Sequence, residues 1–226
     1  MTQAPTTDDG YEAQRQRMVE RQLRPRGIRD PRVLQAMRDV PRHCFVPEYM
    51  RDASYEDCAW PIGDGQTISQ PYLVARICEL AELAPHERAL EIGAGSGYEA
   101  AVLSQLCKQV IGIELVESLA AGAQQRLSEL GMTNVSIIAG DGRRGHAAQA
   151  PYDAIVVAAS VPEIPEVWVE QLALGGRLVL PIGTPALQVL TVLRKTKQGL
   201  QQQCHQHCAF QPLHREREPR TLPLFY

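Results

Sequence analysis

Leu90-Glu91-Ile92-Gly93-Ala94-Gly95-Ser96-Gly97-Tyr98 decides how this chain is read. The stretch begins as the end of a buried strand, passes through a glycine-rich turn and enters a helix at about Tyr98. Glycines at 93, 95 and 97 let the backbone turn tightly and approach a ligand with no Cβ in the way. A helix N-terminus adds unpaired N–H groups for a polar ligand. The spacing is G-x-G-x-G, which differs from the G-x-G-x-x-G of dinucleotide binders.

Three acids surround this loop. Glu91 lies inside the strand end itself. A second apolar run, Gln109-Val110-Ile111-Gly112-Ile113, ends at Glu114, near the spacing at which a ribose-binding acid is expected. A third, Val135 to Ile138, leads into Ala139-Gly140-Asp141-Gly142. A ligand with a ribose diol and an adenine amine suits acids at three successive strand ends. A pyrophosphate does not: the acids repel it, and the loop holds no Lys or Arg. S-adenosylmethionine has an amino-acid end, a ribose and an adenine, and no phosphate, so it is the expected cofactor.

The chain has 226 residues, enough for one α/β domain with a substantial core. Its net charge of −3 gives no sign of a nucleic-acid-binding field. No apolar run approaches the roughly 18 residues of a membrane span. The N-terminus has neither the basic nor the apolar part of a signal peptide, so no membrane or nucleic-acid partner and a cytoplasmic location are expected. Cys44, Cys58, Cys78, Cys107, Cys204 and Cys208 are scattered without a C-x-x-C and read as reduced thiols. Cys204-His205-Gln206-His207-Cys208 looks like a ligand cluster, but on an unbroken strand the cysteines and histidines face opposite ways. No metal is expected.

The organisation follows from pattern. Residues 1–10 are polar and expected to be disordered. A weak apolar face over 11–23 and Asp30-Pro31, a good N-cap with proline at the first position, predict two N-terminal helices. Residues 42–70 read as irregular. A helical period runs through Leu73, Val74, Ile77, Leu80 and Ala81. From 88 on, strands are expected near 88–92, 109–114, 134–138, 153–158, 176–181, 187–195 and 202–211, and helices near 97–107, 116–130 and 162–173. The early strands are continuous apolar runs, as in a parallel sheet buried on both faces. The last two lack an intervening helix and should pair antiparallel. The fold class is therefore α/β: a doubly wound, mostly parallel seven-stranded sheet with an antiparallel edge strand and N-terminal helices. Residues 11–213 make a single domain, with 11–87 carrying helices and a substrate loop and 88–213 the cofactor-binding sheet. The tail, 214–226, ends in apolar and aromatic residues that suggest docking on the domain or on a second copy.

A second motif, Gly63-Asp64-Gly65-Gln66-Thr67-Ile68-Ser69-Gln70-Pro71, precedes the helix over 73–81. Its plainest reading is a glycine loop with Ser69 as helix cap; its hydroxyls and amide also suit a polar lid. With Pro61-Ile62-Gly63 before it, Leu90-Glu91-Ile92-Gly93 and Gly95-Ser96-Gly97-Tyr98, Gly140-Asp141-Gly142, Pro151-Tyr152-Asp153-Ala154-Ile155, and Gly175-Gly176-Arg177-Leu178-Val179-Leu180-Pro181, the chain resembles protein-L-isoaspartate O-methyltransferases from about residue 19 to 213. The glycine loop is shared by many methyltransferases; the T-I-S-Q-P segment is far more specific. The resemblance implies a Rossmann-like fold and S-adenosylmethionine-dependent methyl transfer to the free carboxylate of L-isoaspartyl residues in damaged proteins, with S-adenosylhomocysteine as product. It implies Ser69, with Thr67, at the acceptor, and Glu91, Gly93, Gly95, Gly97, Glu114, Asp141 and Gly142 around the cofactor. It also implies isoaspartyl proteins and peptides as partners; a monomer is expected. Two positions depart from the family pattern: Ala94, often Thr, and Gln211, where the family completes its substrate cleft.

The chemistry agrees with such a site. A carboxylate, with a pKa of about 4, is ionised and nucleophilic at neutral pH. The protein must align reactants, and it has no proton to remove. Phenol or amine methylation would require a base. Methylation of another carboxylate, and a non-catalytic S-adenosylmethionine-binding protein, are the alternatives.

Overall fold

The computed structural model describes residues 10–214. The expected disorder of 1–10 and the tail 214–226, Gly10 and His214 aside, lie outside the described residues.

The first helix, α1 (Glu12–Met18), runs on through a π-turn over Val19–Leu23 and a 3-10 turn over Arg24–Arg26. Met18, Val19 and Leu23 carry its buried face. α2 (Pro31–Asp39) starts as the sequence predicts: Asp30 accepts the Arg32 N–H at 2.8 Å and Pro31 opens the helix. It stops at Val40, which is extended before Pro41.

The stretch expected to be irregular is more ordered than that. 3-10 turns cover Arg42–Phe45 and Glu48–Ala53, and then β1 (Trp60–Gly63) and β2 (Gln66–Ile68) form an antiparallel hairpin. Asp64 and Gly65 make its turn, with φ of +51° and +71°. Asp-Gly with both residues at positive φ has the twist that closes a two-residue hairpin. α3 (Pro71–Ala81) follows, with Gln70 at its N-cap and no side chain capping it. Ser69 is therefore not the helix cap that its position suggested.

The sheet then builds outward in alternation: β3 (Arg88–Ile92), α4 (Tyr98–Ser104), β4 (Gln109–Glu114), α5 (Glu117–Glu129), β5 (Val135–Ala139), β6 (Tyr152–Val157), α6 (Glu166–Glu170), β7 (Leu172–Thr184), β8 (Leu187–Thr196) and β9 (Gly199–Cys208). The spatial order is β5-β4-β3-β6-β7-β8-β9. From β5 to β7 every pairing is parallel; β8 runs antiparallel to both β7 and β9. The chain grows from β3 through β4 to β5, then returns to the other side of β3 with β6. The strand ends at that reversal form the crevice in which doubly wound sheets take ligands.

Three boundaries differ from the sequence reading. The helix expected over 162–173 has only five residues, because Leu172 already pairs with Tyr152 as the start of β7. The helix expected over 97–107 ends at Ser104. The last strand begins directly after the Lys197-Gln198 turn and ends at 208, where 202–211 was expected. A register shift opposite Leu190 and Thr191 leaves His205 as an extra residue, so the simple alternation through Cys204–Cys208 is broken. His205 Nδ1 lies 3.4 Å from Arg76 Nη2, and among the described residues no group of three or more His, Cys, Asp or Glu could hold a metal.

Apolar cores lie on both faces of the sheet. Leu90 and Ile92 of β3 pack with Ile111, Ile155 and Trp168 on one face. Ala89 joins α2, α3 and α4 on the other. Strand alternation therefore aims Glu91 at the face that α3 and α4 cover.

Candidate functional site

A cavity of about 1340 Å³ opens at the strand ends of β3 and β4. One wall comes from the glycine loop, the end of β4, Gly142 and Ala158-Ala159; the other comes from the β1–β2 hairpin, Ser69, Gln70, Arg26 and residues 206–214.

The first wall is tied to the sheet by its own backbone. Gly93 and Ala94 both donate to the Ile113 carbonyl, at 2.9 and 3.1 Å. Gly95 donates to Glu114 Oε2 at 2.7 Å, and Val116 donates to Glu114 Oε1 at 2.9 Å. A carboxylate offers about four acceptor positions. Glu114 spends two on the backbone and, lining the cavity, keeps the others for hydroxyl donors. At Gly97, φ is +87° and a Cβ would sit 3.1 Å from Ala123 Cβ, so loop and α5 leave no clearance for a side chain. Gly142 is more tightly confined, since a Cβ there would lie 2.5 Å from Ile92 Cγ2.

Asp141 takes a different place from the other acids. It caps the turn Gly142–Arg144 by accepting the Arg143 N–H at 3.0 Å and pairs with the Arg143 guanidinium, which holds its carboxyl below the usual range. Gly142 reaches the cavity; Asp141 stands behind it.

Glu91 is fully buried and lines a small adjoining cavity of about 30 Å³, together with Glu99, Thr67, Ser69, Gly93 and Gly95. None of the four oxygens of Glu91 and Glu99 has a hydrogen-bond partner in the protein. Burial first, then the charges of Glu99 and Glu114, push the Glu91 carboxyl well above the ordinary carboxylate range. Burial pushes Glu99 up to about 8. Sequence reading missed Glu99, because an acid in the first turn of a helix is ordinarily a dipole partner. Its signal was the run Ala100-Ala101-Val102-Leu103 beyond it, which leaves α4 no solvent face.

On the second wall, Thr67 and Ser69 line both cavities. Arg42, fully buried, donates to the Ser69 carbonyl at 2.8 Å and to the Ser54 carbonyl at 2.6 Å, with its guanidinium 4.8 Å from the Tyr98 ring centroid. Arg26 stacks 3.5 Å over the Tyr72 ring and pairs with Asp57, and the Tyr72 hydroxyl donates to Gln206 at 2.8 Å. Gln211 reaches back to the Gly65 carbonyl at 3.2 Å, closing β9's continuation onto the hairpin. Two exposed histidines, His207 and His214, stand on this wall as well. From the sequence His207 was weighed only as a metal ligand, and His214, Arg26 and Arg42 were not singled out, since only the folded chain brings them here.

Residues 13–218 match the family described as protein-L-isoaspartate(D-aspartate) O-methyltransferase. A Synechococcus protein-L-isoaspartate O-methyltransferase is 52% identical over 204 residues, covering 87% of this chain and 84% of that protein. A Koribacter versatilis relative of the same name is 50% identical, covering 90% and 92%. A solved protein-L-isoaspartate O-methyltransferase superposes with a TM-score of 0.80 at 31% identity, covering 88% of this chain and 65% of the other. A Plasmodium falciparum chain assigned the same activity, solved with S-adenosyl-L-homocysteine, gives 0.75 at 26% identity, covering 90% and 98%.

Proposed function

Because this chain belongs to the protein-L-isoaspartate(D-aspartate) O-methyltransferase family, we propose that it uses S-adenosylmethionine to esterify the free carboxylate of L-isoaspartyl residues in damaged proteins and peptides. The observation that carries this reading is the juxtaposition of Glu114 and the glycine loop, on one wall, with Thr67 and Ser69 on the other. When bound, S-adenosylmethionine supplies an electrophilic methyl group on a sulfonium.

The residues present fit that cofactor. Glu114 has acceptor positions left for a ribose diol. Gly93, Gly95 and Gly97 bring backbone close to the ligand. Gly142, on the turn that Asp141 caps, borders the adenine end next to β5. Glu91 lies at the amino-acid end, beside Ser69. Thr67 and Ser69 offer hydroxyl donors to the acceptor carboxylate, and Arg42 holds the Ser69 backbone in place. The acceptor arrives ionised, so alignment is the main task.

We also assign a monomer in the cytoplasm. All six cysteines are free, as in a reducing compartment. Of the exposed large apolar residues Tyr49, Leu174, Leu187 and Leu200, Leu187 stands at the end of the β8–β9 pair opposite Leu200. No helix among the described residues is long and apolar enough to cross a membrane. The activity is tested with methyl-labelled S-adenosylmethionine and an isoaspartyl peptide, the matching aspartyl peptide serving as control. Label in the isoaspartyl peptide alone, released by mild base as expected of an ester, supports the reading; equal labelling of both peptides or of neither rejects it. Light scattering at the mass of one chain checks the monomer.

A further inference from the structure

Glu91 and Glu99 are two buried carboxyl groups on one small cavity, and the protein offers neither a hydrogen bond. Burying even one carboxylate without a partner is costly, and two like charges this close do not both ionise. The groups facing the pair offer no relief. Glu114, from β4, adds a third negative charge. Cys78, from α3, has its thiol pushed well up by burial and stays neutral, as does Tyr98 on the same wall. Thr67 and Ser69, from the hairpin side, are neutral hydroxyls. Arg42, the cation nearby, spends two of its nitrogens on the carbonyls of Ser54 and Ser69, and the third, Nη1, bonds neither acid.

The layout of the sheet says which part of the ligand comes here. The strand order β5-β4-β3 sets Gly142, Glu114 and Glu91 in a row. With the adenine at Gly142 and the ribose at Glu114, the amino-acid end falls beside β3. Its ammonium group is a cation with three N–H donors. The small cavity, at about 30 Å³, exceeds the roughly 10–15 Å³ that one water needs and suits a head of that size.

We propose that Glu91 and Glu99 form a buried carboxyl pair that receives the ammonium group of the cofactor's amino-acid end, with Glu99 as the partner that gives up its proton. The inference rests on the S-adenosylmethionine reading above. In the free protein burial keeps both carboxyls protonated. When the ammonium docks, the Glu99 O–H bond breaks and the proton leaves to solvent. The Glu99 carboxylate and the carbonyl oxygen of the still protonated Glu91 then accept N–H donors from a single positive charge. No other bond changes. The row of apolar residues after Glu99 gives α4 no solvent-side reason for an acid there, and this pairing gives one.

The test uses S-adenosylhomocysteine, which has the ammonium, and 5′-methylthioadenosine, which lacks the amino-acid end. Calorimetry at pH 6.5, in two buffers of different ionisation enthalpy, counts the protons exchanged. The expected result is about one proton released per S-adenosylhomocysteine and none per methylthioadenosine, with S-adenosylhomocysteine affinity rising up to about tenfold per pH unit from 6 to 7. Glu99→Gln should bind S-adenosylhomocysteine with no proton release and a flat pH dependence. Equal release with both ligands, no release with either, or release that persists in folded Glu99→Gln overturns the inference. The two-ligand comparison on the unaltered protein decides alone if that variant does not fold. Failure of the unaltered protein to bind S-adenosylhomocysteine at all would instead remove the cofactor reading on which the pair depends.

Discussion

The two walls of the cavity are made in different ways. The cofactor wall centres on the continuous stretch β3-α4-β4, with Gly142 and Ala158-Ala159 added from neighbouring strand ends, and its loop is held chiefly by its own backbone and by Glu114, with Arg126 donating to the Ser96 carbonyl. The acceptor wall is gathered from the N-terminal turns, the hairpin and the chain beyond β9, and side chains tie it together: Arg42 to Ser69, Tyr72 to Gln206, Gln211 to Gly65. Damage to the first wall should therefore show up in cofactor affinity, and damage to the second in stability and turnover. The contrast can be broken by experiment at each level.

The largest effect belongs to Arg42. Arg42→Met strips donors from one buried and one half-buried carbonyl and should cost about 2–4 kcal/mol of stability, read by urea unfolding. A loss below about 0.5 kcal/mol, the range of ordinary surface changes, would mean that the acceptor wall holds itself without Arg42. Next comes Ser69→Ala, expected to lower methyl transfer roughly 10–100-fold through lost positioning, with S-adenosylhomocysteine affinity nearly unchanged. Since Ser69 is not a helix cap, the melting temperature should hardly move. A stability loss with full turnover would assign it to the scaffold.

Within the cofactor wall, Glu114→Ala should weaken cofactor binding by about 1–3 kcal/mol, as expected for a hydrogen bond to a charged group. Asp141→Ala should cost less, because its carboxylate is spent on Arg143. Calorimetry that reverses this order would place the adenine contact on Asp141 itself.

The smallest changes concern pH. Glu99, raised to about 8, stabilises the free protein fully only below its unfolded pKa of about 4.3. That contribution is lost as pH rises toward 8. The melting temperature of the ligand-free protein should fall across that window, and Glu99→Gln should flatten the fall; an identical slope in both would acquit Glu99. At saturating cofactor, turnover should vary little between pH 6 and 8, because the acceptor carboxyl, at about 4, is already ionised. A steep rise centred near 7 would instead point to His207 or His214 as a base.

The difference between the walls also explains what could be read from the sequence. Gly93, Gly95, Gly97 and Glu114 announced themselves because backbone conformation and strand-end spacing are local properties. The inner strands were legible for the same reason: apolar runs buried on both faces need no long-range information, whereas the polar, largely exposed β9 was expected three residues too late. Asp64-Gly65 carried a hairpin signal, but strands of four and three residues are too short for alternation to stand out. The extra residue at His205 follows from pairing with β8 and has no mark of its own. Arg42 reaches carbonyls 12 and 27 residues away. Nothing near it in the chain distinguishes it from the exposed arginines around it.

The separations also set an order in time. Gly95 and Glu114 stand 19 residues apart, whereas Tyr72 meets Gln206 across 134 residues and Gly65 meets Gln211 across 146. Short-range pairs close early and distant ones late. During synthesis the glycine loop and its acid can meet while the chain is half made, but the acceptor wall must wait for the last strand to leave the ribosome. The glycine loop can thus meet its acid well before the acceptor wall closes, and a chain still lacking its last strand lacks the residues that complete the acceptor side.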